Sequence, residues 1–271
     1  MPLPTLAADE RLDKINERLS LIQKKNGLTY GTDAFLLSAF VRPQPHALCA
    51  DLGSGTGVIP LLLCAKDKIR RACAIEIQPA FAELITRNAA LNGLDGRLSS
   101  VCADLRAVRS ELLPTEFLCG AHQVDIVTAN PPYMKINAGQ RNRDDAKYLA
   151  RHEVCGGVAD FCACAARLLR SGGSFYCVWR PDRLDELMAG LHANRFAVKR
   201  MAFVHADENA EASMVLIEAR ADGAPSLKLL PPLLLHTPES RGLSYRPLST
   251  RAQEIYDTLQ WYDISEREGE S

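Results

Sequence analysis

Five short apolar runs, separated by stretches with helical spacing, constrain this chain more than any other feature. The runs are Ala47 to Leu52, Ala72 to Ile77, Ser99 to Ala103, Val124 to Ala129 and Ser174 to Trp179. Strands this apolar suit a parallel sheet covered on both faces. Helical patterns lie at Val58 to Ala65, Pro79 to Asn92, Asp160 to Leu169 and Asp182 to Asn194, with Gly93 and Gly172 as stop signals. Two further runs, Ala197 to Val204 and Ser213 to Ala219, have only Asp207 to Ala212 between them. That is too short for a crossover helix, so they are expected to pair antiparallel. The expectation is a Rossmann-like, doubly wound α/β fold with a seven-stranded, mostly parallel sheet and an antiparallel edge hairpin.

Residues 42–223 are expected to form this domain. Residues 1–41 read as an N-terminal helical extension packed on its ligand-binding face, and 224–271 as a C-terminal extension with a short helix and a frayed tail. Pro231-Pro232 reads as a rigid connector.

At 271 residues the chain can bury a core that needs no metal or disulfide. Its formal charge of −1 excludes a globally basic protein, so contact with nucleic acid must use a local patch. No stretch approaches the roughly 20 apolar residues of a membrane span, and the N-terminus lacks a signal-peptide core, so a cytoplasmic protein is expected. The nine cysteines are odd in number. Cys49, Cys73, Cys102 and Cys177 fall in predicted strands, and Cys162 and Cys164 lack zinc-finger spacing, so they are expected to pack rather than bind metal.

Asp51-Leu52-Gly53-Ser54-Gly55-Thr56-Gly57 closes the first run and opens a helix. The glycines Gly53, Gly55 and Gly57 let the backbone approach a ligand closely. In a dinucleotide site this turn receives a pyrophosphate, which Asp51 would repel. S-adenosylmethionine carries an ammonium and a sulfonium and no phosphate, so an acid is attractive here. Glu76 closes the second run, where a carboxylate accepts ribose hydroxyls, with Ile77 beside it. Asp104 closes the third, placed to take the adenine amino group, while Leu105 holds the ring. The turn and three acidic strand ends match the motifs of class I S-adenosylmethionine methyltransferases over roughly Ala47 to Ala219.

The fourth run ends in Asn130-Pro131-Pro132-Tyr133. An exocyclic amine conjugated to an aromatic ring is a poor nucleophile, because its lone pair is delocalised. The Asn130 side-chain oxygen and the Pro131 carbonyl can each hold one N–H and aim the lone pair at the methyl group. Pro131 and Pro132 keep that backbone rigid, Tyr133 offers a stacking face, and Asn130 also borders the cofactor. No metal is required. The tetrapeptide resembles the signature of methyltransferases acting on planar nitrogens.

After it, Lys135, Arg141, Arg143, Lys147 and Arg151 outnumber Asp144 and Asp145, a balance suited to phosphates or to a solvated loop. His152 is a candidate for substrate contact or loop ordering. In Tyr30-Gly31-Thr32-Asp33, Thr32 or Asp33 either caps the next helix or borders the methionine end of the cofactor.

Taken with Ala-Arg-His-Glu at 150–153 and a tail containing Pro-Pro-Leu and Ile-Tyr, these motifs resemble the bacterial tRNA1(Val) adenine-N6 methyltransferase family from about Arg11 to Asp257. The resemblance implies methylation of the adenine at tRNA position 37, with the anticodon stem-loop as partner. That base lies in a loop, where extraction is cheap. Three alternatives stay open: glutamine methylation in release factors, whose enzymes carry a larger helical domain before the first strand; guanine-N2 methylation in ribosomal RNA, whose motif more often has Phe for Tyr133; and a non-catalytic subunit of the same fold.

Overall fold

The computed structural model describes residues 4–25, 31–119, 123–132, 156–240, 243 and 246–261. After an N-terminal hairpin, β1 (Glu10–Lys14) and β2 (Ser20–Lys24), come α1 (Thr32–Phe40), β3 (Leu48–Leu52), α2 (Val58–Ala65), β4 (Arg71–Glu76), α3 (Pro79–Leu91), β5 (Leu98–Cys102) and β6 (Val124–Ala129). Then follow α4 (Val158–Leu168), β7 (Leu169–Trp179), α5 (Leu184–Ala193), β8 (Phe196–His205), β9 (Ala212–Ala221), β10 (Lys228–Leu229), β11 (Leu233–Leu234) and α6 (Thr250–Thr258).

The main sheet has the order β10-β8-β9-β7-β6-β3-β4-β5, with β11 also on β8. Strands β3 to β7 pair in parallel, and β9 runs antiparallel to both β7 and β8. The expected doubly wound sheet and antiparallel hairpin are therefore present. Because every inner strand is buried on both faces, alternate residues feed two cores: Cys49, Ala72, Ile126, Tyr176 and Leu216 point to the side of α1 and α2, while Ala50, Cys73, Val127, Phe175 and Ile217 point to the side of α4 and α5.

The hairpin does not end the sheet, as the sequence had suggested. Lys228–Leu229 and Leu233–Leu234 add in parallel to the outer side of β8, and Pro231-Pro232 connects them. This covers part of an edge that would otherwise expose unpaired backbone groups. The chain then returns through α6, where Tyr256 stacks on Phe35 at 5.0 Å between ring centroids and Trp261 meets Phe40 edge-on. Buried Lys68 donates to the carbonyls of Ser38, Ala39 and Leu259, tying the end of α1 to the end of α6.

A second departure lies before α1, where a helical extension was expected and residues 10–24 form a hairpin instead. Leu12, Ile15 and Leu19 have helical spacing, but the Asn16 carboxamide accepts from the amides of Arg18 and Leu19 and closes a turn. The outer side of β2 then bonds to side chains of α3 and of its C-cap residue, Asn92. Asn88 accepts from Ile22 N–H and donates to Ile22 C=O, and Asn92 does the same for Ser20. Asn88 also donates to the carbonyl of Thr56, so the hairpin is fastened to the glycine turn. Tertiary hydrogen bonds override the local helical pattern here.

No described helix is long and apolar enough to cross a membrane. Among the described residues, no cluster of three or more His, Cys, Asp or Glu can hold a metal ion.

Candidate active site

At the carboxyl ends of β3, β4, β5 and β6 the sheet opens into one cavity, where open parallel sheets take their ligands. Its wall includes Gly53, Ser54 and Gly55 after β3, Glu76, Ile77 and Gln78 after β4, Ala103 and Leu105 after β5, and Asn130, Pro131 and Pro132 after β6. Gly31, Asp33 and Ala34 from the start of α1, Phe81 from α3 and Phe161 from α4 complete much of it. Among the described residues that line it there is no Lys or Arg.

The turn follows the expected logic with different divisions of labour. Gly53, Gly55 and Gly57 all have positive φ, at 64°, 57° and 80°. A Cβ on Gly53 would press on the Phe161 ring at 3.2 Å, whereas one on Gly55 would meet nothing within 4 Å. Gly57 sits at the N-cap of α2 with Ile85 against it and does not line the cavity.

Glu76 is 5% exposed and borders the cavity. Its carboxylate accepts from the amides of Gly55 at 2.8 Å and Gln78 at 2.9 Å. Burial pushes its pKa up, and these amides oppose the shift. An acid that is desolvated yet held by fixed donors is preorganised to accept hydroxyl groups or to meet a cation. Asp51 lies behind the turn, 1% exposed, and is not part of the cavity wall. It accepts from Thr128 at 2.6 Å and from Ser54 at 2.5 Å. Burial raises its pKa to about 7 against these two bonds. Asp51 thus joins the glycine turn to β6, two residues before Asn130.

Asp104 is placed differently from the expectation that it faces an adenine amine. Arg106 folds back on its carboxylate at 2.5–3.0 Å and lowers its pKa, and only its neighbours Ala103 and Leu105 reach the cavity. Thr32 is likewise absent from the wall, while Asp33 is on it. Neither Thr32 nor Asp33 caps α1, whose N-cap is Gly31. Tyr30, Tyr133, Lys135, Arg141, Arg143, Lys147, Arg151 and His152 lie outside the described residues.

Phe161, Phe81, Gln78 and Ser54 are among the wall residues that the sequence does not single out. Phe161 was visible only as part of an apolar helix face, and its role follows from the bare Gly53 backbone beneath it. Phe81 and Gln78 start the helix after Glu76, where the sequence shows no more than a helix beginning with proline. Ser54 belongs to the glycine turn in sequence, and its hydroxyl donates to Asp51.

S-adenosylmethionine fits this wall. Glu76 offers fixed acceptors for a ribose diol, Ile77, Phe81 and Leu105 offer apolar surface for a purine ring, and none of the described wall residues is a Lys or Arg that would repel the sulfonium.

No family model matches the chain. A tRNA1(Val) (adenine(37)-N6)-methyltransferase of Porphyromonas gingivalis (strain ATCC 33277) is 30% identical over 210 residues, covering 75% of this chain and 79% of that protein. One of the same name from Pedobacter heparinus is 28% identical over 180 residues, covering 66% and 71%. A predicted O-methyltransferase from Agrobacterium tumefaciens superimposes with a TM-score of 0.65 at 22% identity, over 85% of this chain and 98% of its own, which establishes a shared fold. By fold, cavity and sequence together, the chain belongs to the bacterial tRNA1(Val) (adenine(37)-N6)-methyltransferase family and is an S-adenosylmethionine-dependent methyltransferase.

Proposed function

We propose that this protein methylates N6 of an adenine in tRNA, at position 37 of the anticodon loop of tRNA Val, and that it works in the cytoplasm. The observation that carries the reading is the position of Asn130 at the cavity wall, directly after β6 and followed by two prolines that line the same space. The cofactor supplies an electrophilic methyl group on sulfonium. Gly53 and Gly55 would approach it through bare backbone, Glu76 would accept its ribose hydroxyls, and Ile77 and Leu105 would hold its adenine. The Asn130 carbonyl oxygen and the Pro131 C=O accept the two N–H bonds of the target amine. So held, the nitrogen would aim its lone pair at the methyl group that S-adenosylmethionine would supply, and the proton displaced from the nitrogen would pass to solvent. Such a transfer rests on orientation and exclusion of water.

Tyr133 is proposed to stack on the base, and Lys135, Arg141, Arg143, Lys147, Arg151 and His152 to engage the RNA. The relatives' names support an RNA substrate over a release-factor glutamine.

The test is incubation with labelled S-adenosylmethionine and, separately, bulk tRNA, ribosomal RNA fragments or release factor, followed by nucleoside and amino-acid analysis. N6-methyladenosine in tRNA is expected, and it should disappear with Asn130→Ala while S-adenosylhomocysteine still binds. Label confined to release factor or to guanine would overturn the reading.

A further inference from the structure

An asparagine can activate an amine only if its carbonyl end faces the substrate, and the carboxamide is nearly symmetric in shape. Either end fits the same space, so something must choose between them. The Asn130 Nδ2 donates to Asp33 Oδ2 at 2.9 Å, and both residues line the cavity. A carboxylate accepts and cannot donate, so the amide end of Asn130 is the only end that Asp33 tolerates. This turns the Oδ1 end into the acceptor available to an amine in the cavity. Asp33 is itself held, since its other oxygen accepts from the amide of Ala34 at 2.9 Å, in the first turn of α1. The rest of α1 is buried from Ala34 to Phe40, so the carboxylate rides on a rigid element.

We infer that Asp33 is a positioning residue that fixes the flip of the Asn130 carboxamide and thereby makes it an acceptor for the methyl-accepting amine. The inference rests on the amine-clamp role proposed for Asn130. It adds a division of labour in which α1, which precedes the first strand of the main sheet, sets the chemistry at the end of the fourth run, 97 residues away in sequence. Without Asp33 the carboxamide is free to turn and present N–H donors, which repel an amine's own N–H groups.

Single-turnover methylation of tRNA at saturating cofactor tests this, alongside calorimetric binding of S-adenosylhomocysteine. Asp33→Ala is expected to slow the transfer by about 10- to 100-fold, less than the roughly 100- to 1000-fold cost of deleting a preorganised group outright, because Asn130 itself remains. Cofactor-product affinity should stay within about 3-fold, because the change acts through Asn130. In a double-mutant cycle, Asp33→Ala should add almost nothing to Asn130→Ala. An exchange supplies the sharper readout. Asn130→Asp places two carboxylates together and should be inactive. Adding Asp33→Asn restores a donor facing an acceptor with roles reversed, and is expected to recover at least about 10-fold over Asn130→Asp alone.

Wild-type rates in Asp33→Ala, fully additive losses in the cycle, or an exchanged pair that binds S-adenosylhomocysteine normally yet stays as inactive as Asn130→Asp would each overturn the inference. So would a large loss of cofactor-product affinity in Asp33→Ala with an unchanged saturated rate, which would make Asp33 a cofactor ligand. If Asn130→Ala itself transfers normally, the amine-clamp reading fails instead, and the two failures are told apart by that single variant.

Discussion

Glu76 ends β4, Asp104 lies two residues past the end of its parallel neighbour β5, and each accepts a hydrogen bond from the amide two residues further on, Gln78 or Arg106, at 2.9 Å in both cases. Their fates differ because of what those next residues carry and how far each acid reaches. Glu76 has one more methylene, and its second oxygen reaches the Gly55 amide. Asp104 is shorter, and the Arg106 guanidinium closes on it from solvent. One acid becomes a desolvated acceptor in the cavity, and the other a screened surface pair. An acidic strand end is therefore a place, and its neighbours decide its use.

The largest expected effect sharpens that contrast. Glu76→Ala should weaken S-adenosylhomocysteine binding by about 100-fold or more in calorimetry, since two hydrogen bonds to a charged group contribute roughly 1.5–3 kcal/mol each. Glu76→Gln, which keeps one acceptor, should fall between.

Asp51 gives the intermediate effect, read in stability rather than affinity. Its folded pKa of about 7 stands above its ordinary 3.8, so between those values the folded protein holds a proton that the unfolded chain has released. Stability attributable to this group is therefore full below pH 4 and falls as pH rises through 7. Asp51→Asn can still accept from Thr128, while Ser54 can turn to accept from it. The variant should show a flatter Tm between pH 4 and 8 than the parent protein, with its advantage at the alkaline end. A parallel pair of curves would mean that Asp51 is not the group responsible.

The smallest change is expected at Asp104, where Asp104→Ala should alter cofactor-product affinity by less than about 3-fold, as exposed ion pairs are worth little. A loss matching that of Glu76→Ala would break the comparison, because it would require the Arg106 pair to open when ligand binds.

Much of the sheet was legible because buried parallel strands leave a continuous apolar signal and glycine turns punctuate it. Val58–Ala65 and Val124–Ala129 fall where the spacing placed them. The cavity end of β4 was legible for the same reason. What stayed hidden depends on partners distant in sequence. The hairpin at 10–24 exists through Asn88 and Asn92, Asp51 turns inward because Thr128 and Ser54 supply hydroxyls, and Asp33 matters because Asn130 lies against it. None of these pairings leaves a trace in local periodicity.

Asn88 in α3 and Asn92 at its C-cap act as a vernier. Four residues of helix advance about 6.0 Å, and two residues of strand about 6.8 Å, so the marks on the two scales coincide for a pair of rungs and then drift apart. Ser20 and Ile22 are that pair. A slip of β2 by one residue would lose both rungs, and a slip by two would keep one at best. A strand that lies outside the main sheet thus has its register read by a helix, and the reading is delivered, through Thr56, to the turn that approaches the cofactor.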